Sequence, residues 1–264
     1  MRIGIFLSII CTGVLAVFDG YIDWPVSAGT ATSAVSSGAK SLWANPSGIK
    51  SDGSFQVDFS ADRGWGLSEL VTGKVSFSRN LLGGHIALGG SFTGDPELYA
   101  ESMGVLAYSR IVGSITMGAK ASFGMVNSDD WNAKGLFLGL GLMIPFGEIL
   151  EYGVWADNLT MSKMDGNAIP IRGSTGFLIA PTDWIDLSTD VYFEGDKPLT
   201  LRMGQQMELG EIIFIRSGVV FQPNSYHFGL GAHYKNFELY WSYIGHPDLG
   251  GSTLLGLTYR GIRQ

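Results

Sequence analysis

Between Ser114 and Met125 the chain alternates in strict two-residue steps. Ile115, Met117, Ala119, Ala121, Phe123 and Met125 fall in one column. Ser114, Thr116, Gly118, Lys120, Ser122 and Gly124 fall in the other. Side chains on a strand point to opposite faces in turn, so one face of this segment meets apolar surroundings and the other is small and mostly polar. The run is about twice as long as a strand in a typical soluble domain. It matches the length that a tilted strand needs to cross a bilayer. The pattern therefore predicts a transmembrane β-barrel.

Composition narrows the alternatives. Charged residues make up only 16% of the 264, and glycine is abundant at 38. Mean hydropathy is +0.19, too low for a helical membrane protein, and no long apolar run follows the N-terminus. A soluble sandwich would carry Lys and Glu on its outer strand faces, where this chain has Gly, Ser and Thr. The net charge of −7 argues against a nucleic-acid partner.

Met1-Arg2 followed by the apolar run Ile3–Phe18 reads as a signal peptide over 1–16, cut after Ala16. The single cysteine, Cys11, lies within it. Asp19–Lys50 shows no strand alternation, and residues 17–50 form an expected plug-like segment. Trp43 and Leu42, beside the helix stop at Pro46, would sit poorly in free solution, so Tyr21–Ile49 is expected to pack inside the barrel.

The barrel is expected over 51–264 as about fourteen antiparallel strands, at 54–62, 68–80, 83–93, 97–110, 112–126, 133–145, 149–159, 170–180, 183–193, 198–208, 211–222, 225–234, 236–245 and 251–260. Turn signals such as Leu82-Gly83-Gly84, Asp165-Gly166-Asn167 and Lys235-Asn236 separate them. Trp155, Trp184, Phe193, Tyr226, Tyr234 and Tyr259 lie toward strand ends, where interfacial girdles form.

Three sets of residues resemble the bacterial outer-membrane barrels related to FadL long-chain fatty-acid transporters and the PorV/PorQ proteins. The first is Gly38-Ala39 through Leu42 to Asn45-Pro46-Ser47-Gly48-Ile49. The second is Asn158-Leu159. The third is Pro198–Gly204 with Arg216-Ser217-Gly218 and the closing Asp248-Leu249-Gly250 and Leu257-Thr258-Tyr259. The resemblance implies fourteen strands and a short plug. It also implies a passive conduit for hydrophobic small molecules, with Trp43, Asn45 and Pro46 at the plug or gate. The alternative within the same group is an accessory barrel that binds proteins of a type IX secretion system. A general porin is a third reading if the plug is missing. Membrane lipid is the expected surrounding, and the outer membrane the expected location.

No catalytic constellation can be assembled. Gly139-Leu140-Gly141 and Gly229-Leu230-Gly231 lie within strands and open no helix, so neither is a nucleotide loop. No cofactor is implied. His227 and His233 share a strand face, but six residues separate them by about 20 Å, too far for one metal ion.

In the lumen, the turn at Glu194–Lys197 places Asp190 opposite Arg202. A turn at Leu209-Gly210 would place Gly204 opposite Arg216, with Gly229 or Gly231 on its other side. Arginine is costly on the lipid face, by about 2–4 kcal/mol near the midplane. A lumenal cluster of Asp190, Arg202 and Arg216 is therefore expected, as a structural ion pair or as a ligand contact.

Overall fold

The computed structural model describes residues 33–34, 37–50, 53–67, 70–129, 131–248 and 250–261. The expected signal peptide and the part of 17–50 before Ser33 lie outside the described residues.

Among the described residues sixteen strands form. They are β1 (Phe55–Arg63), β2 (Val71–Leu81), β3 (Gly84–Asp95), β4 (Tyr99–Val112), β5 (Ile115–Ser128), β6 (Trp131–Phe146), β7 (Leu150–Asp157), β8 (Lys163–Met164), β9 (Asn167–Ala168), β10 (Arg172–Thr182), β11 (Ile185–Glu194), β12 (Thr200–Leu209), β13 (Ile213–Phe221), β14 (Ser225–Tyr234), β15 (Phe237–His246) and β16 (Gly250–Arg260). Fourteen of them close into one antiparallel transmembrane barrel, in which each strand pairs with its neighbour in sequence and β16 returns to β1. β8 and β9 make a separate small hairpin within the connection from β7 to β10. The sequence marks its Asp165-Gly166 turn but not its two short strands.

Closure removes every free edge, which is what allows a sheet to cross a bilayer. Among the described residues no helix is long and apolar enough to cross. The two expected columns of β5 separate as read. Met117 and Phe123 face outward, whereas Thr116, Gly118, Lys120 and Ser122 are buried inside. On β6, Leu136, Leu138 and Leu140 point out and are 55, 43 and 55% exposed. Such an apolar belt gains its burial from lipid.

We name the end where β1 begins and β16 finishes the near rim, and the opposite end the far rim. Around the near rim Phe77, Phe55, Tyr259 and Phe237 form a chain of outward rings 5.0–5.9 Å apart. Trp155 corrects the expected girdle: it faces inward and is 1% exposed. It shares strand parity with inward Gly153 and Asp157, so alternation overrides its place near a strand end.

Candidate functional site

The site is the inside of the barrel, and residues 37–50 occupy it. The segment folds back on itself, with Gly38 N–H donating to the Gly48 carbonyl at 3.0 Å. Between these ends lie two short 3-10 turns, Ala39–Trp43 and Pro46–Gly48. Asn45 caps the second. Its Oδ1 accepts from Ser47 N at 3.1 Å and from Ser47 Oγ at 2.6 Å, while Pro46 takes the first position, where no N–H is needed. The amide of Asn45 also donates to the Ser33 carbonyl at 2.6 Å and to the Leu142 carbonyl of β6 at 3.4 Å. Asn45 therefore ties the segment both to itself and to the wall.

The wall is shaped to receive this backbone. A Cβ at Gly118 would fall on Pro46 and the Ser47 nitrogen, and one at Gly141 would fall on the Asn45 side chain. Only glycine permits so close an approach. Polar side chains from several strands then satisfy the segment's backbone. Gln56 Oε1 accepts from Ala39 N at 3.0 Å. Ser109 Oγ donates to the Ile49 carbonyl at 2.7 Å, and Lys120 Nζ to the Ala44 carbonyl at 3.2 Å. An irregular backbone is tolerated at membrane depth when it is satisfied in this way.

Buried ion networks around Glu238 and Asp157 anchor the arrangement, and of their members the sequence names only Arg216 as a lumenal charge. Glu238 of β15 lies 2.9 Å from Lys40, 2.6 Å from Arg260 and 4.0 Å from Arg216. Asp157 of β7 lies 3.3 Å from Lys120 and 3.8 Å from Arg172. Lys120 stood in the polar column of β5, and that was the available signal. Its partners could not be read without the register.

The residues proposed from sequence all face inward. Asp190 pairs in register with Arg202, as expected, and the Arg202 guanidinium lies 4.1 Å from the Tyr192 ring centre. Asp190 Oδ2 also accepts from Ser33 N and Ser33 Oγ, each at 3.3 Å. Arg216 faces Gly229 as expected, but Gly204 faces Gly218 instead of Arg216. The hairpin closes on the turn Gly210–Ile212, whose centre lies one residue later than expected, and this shifts the pairing by two residues. Arg216 accordingly faces Gln206, donates to its Oε1 at 2.6 Å and joins the Glu238 network.

Toward the far rim the inner wall turns apolar. Met103, Val105, Val126 and Phe137 pack with Leu42 and Trp43 of the segment and with Met164 of β8. The connection that carries Met164 is held by Asn158, which has a positive φ of 56°. Asn158 Oδ1 accepts from Ser162 N at 3.0 Å, and its amide donates to the Ile169 carbonyl at 2.7 Å.

No protein-family model matches the chain, and no curated protein does. Solved structures do. A TodX monoaromatic hydrocarbon channel lacking S2 superposes with a TM-score of 0.69 at 9% identity, covering 91% of this chain and 98% of that one. The CymD monoaromatic hydrocarbon channel gives 0.63 at 11% identity, covering 86% and 94%. The P. putida toluene transporter TodX gives 0.62 at 9% identity, covering 90% and 97%. At these identities the likeness is one of fold, over nearly the whole length of both chains.

Proposed function

We propose that this protein is an outer-membrane channel of the plugged kind, carrying small hydrophobic molecules past residues 37–50. The observation that supports this reading is the apolar patch inside the wall. A barrel filled only with polar side chains would offer a hydrophobic solute nothing, whereas Met103, Val105 and Phe137 offer it a surface. Leu42 and Trp43 lie on that same surface, so the segment and a hydrophobic solute would compete for it. Trp43, Asn45 and Pro46 are then the gate: Trp43 covers the patch, and Asn45-Pro46 fix the turn that presents it. The channels TodX and CymD, named for monoaromatic hydrocarbons, share the fold.

The accessory-barrel reading needs exposed loop surface for docking. The connection from β7 to β10 instead turns Met164 into the barrel, where it is 2% exposed. The apolar outer face suits surrounding lipid.

Toluene uptake into proteoliposomes tests the reading. Met103→Gln and Val105→Thr keep side-chain size and add polarity to the patch. Each should lower the initial rate at least threefold in barrels that still show a folded, heat-shifted band on gels. Unchanged rates in both folded variants would reject a hydrophobic route through the patch.

A further inference from the structure

The lumen is filled unevenly. On the side of β1–β7 most inward side chains are sealed: Asp58, Lys74, Lys120 and Ser122 are 1, 5, 6 and 2% exposed. On β12–β14 most inward residues are half-buried at every level from rim to rim, beside buried Thr200, Arg202, Phe214, Gly229 and Gly231. Glu208 and His233 stand toward the near rim, each with a side chain 29% exposed. Gln206 and Arg216 follow, and Val220 and Ser225 end the strip at the far rim. At mid-wall Gly204 and Gly218 face each other in register, so no side chain projects there.

The strip is polar, and its charges balance. On the strip itself Glu208 offsets Arg216, and beside it the buried Glu238 is shared by Lys40, Arg216 and Arg260 within 4.0 Å. A strip with no net charge gives neither sign of ion a favoured route, while its amide, imidazole and hydroxyl groups can exchange hydrogen bonds with a passing solute.

We propose that this strip is a second, water-lined path, distinct from the hydrophobic route, for small uncharged hydrophilic solutes of the polyol and pentose class. It lies on the wall opposite the apolar patch. Its most open point is the Gly204–Gly218 pair, which a bulky group added there would fill.

The mature full-length protein in liposomes is the material for the test. Wild type should support swelling in L-arabinose. Under a salt gradient across a planar bilayer, its reversal potential should stay near zero. The chain's one cysteine, Cys11, lies in the expected leader, so Gly218→Cys can be labelled after folding with a bulky methanethiosulfonate reagent. Labelling should reduce arabinose swelling at least fivefold while toluene uptake is unchanged. Post-folding labelling also avoids the risk that a direct Gly218→Phe change fails to fold. The proposal is overturned by absent swelling in wild type, by swelling that labelling does not reduce, or by a reversal potential showing strong ion selection. Loss of toluene uptake together with swelling would overturn the claim that the two paths are distinct.

Discussion

Lys40 Nζ lies 2.9 Å from Glu238 Oε1, which joins the lumenal segment to a strand 198 positions later. The carboxylate is the hub of this network, because Arg260 and Arg216 approach it as well. The two ends of the ion pair are therefore unequal. Lys40→Met leaves Glu238 with Arg260 and should cost about 1–3 kcal/mol. Glu238→Gln removes the one carboxylate that Lys40, Arg216 and Arg260 share within 4.0 Å. That change should cost about 3–5 kcal/mol, the range for stranding a buried charge. Urea unfolding midpoints in lipid vesicles give the order, and a larger loss for Lys40→Met would show that Glu238 is not the hub.

A parallel expectation holds at Asp157. Its carboxylate separates Lys120 from Arg172, and the Lys120 side chain is only 3% exposed. Asp157→Ala should destabilise by about 3–5 kcal/mol, because two buried cations lose their shared partner. Lys120→Met should cost less, since Asp157 keeps Arg172 and a bond from the Asn158 N–H at 3.0 Å. Equal losses in thermal unfolding would mean that the triad does not act as a unit.

Much of this architecture was open to reading because strand parity is a local property. The β5 columns, the fourteen barrel strands and the pairing of Asp190 with Arg202 all follow from two-residue steps and short turns. Register across β12 and β13 differs from the expected one by two residues, because the turn Gly210–Ile212 centres on Glu211 and not on Gly210, and moving a hairpin's centre by one residue moves each partner by two. Residues 37–50 were harder. Their conformation has no period of its own and is set by glycines and polar groups on five or more strands that only the closed barrel brings together. Lys40 and Glu238 carry no mutual signal in the sequence for the same reason. Asn158 stood out in the sequence, but its role depends on a left-handed backbone and on a connection that folds inward.

Gly118 and Gly104 provide a matched pair. A Cβ at Gly118 would strike the Pro46–Ser47 backbone, whereas Gly104 faces outward with nothing within 4 Å. Gly118→Val should displace the segment from its seat and raise small-solute permeability in liposome swelling, with the barrel still folded. Gly104→Val adds one lipid-facing side chain and should leave permeability at the wild-type value. If both variants behave alike, the seat at Gly118 is not what positions the segment.

Asn158 combines two demands that substitutions can separate. Its backbone sits at φ 56°, a region open to asparagine and glycine but costly for other residues by about 1–2 kcal/mol. Its side chain bonds Ser162 N and the Ile169 carbonyl, which closes the connection that brings Met164 onto Phe137 and the apolar patch. Asn158→Gly keeps the backbone and loses the bonds, so it should free the connection at a cost of about 1–3 kcal/mol. Asn158→Ala loses both and should be worse by the strain of the left-handed region. Hydrogen exchange over residues 159–170 reads the effect directly, with protection expected to fall in the order wild type, Asn158→Gly, Asn158→Ala. In both variants the release of Met164 should also change the toluene uptake rate, since Met164 covers one side of the patch. Exchange in Asn158→Gly as slow as in wild type would mean that the side-chain bonds do not hold this connection, leaving its inward fold to the packing of Met164 alone.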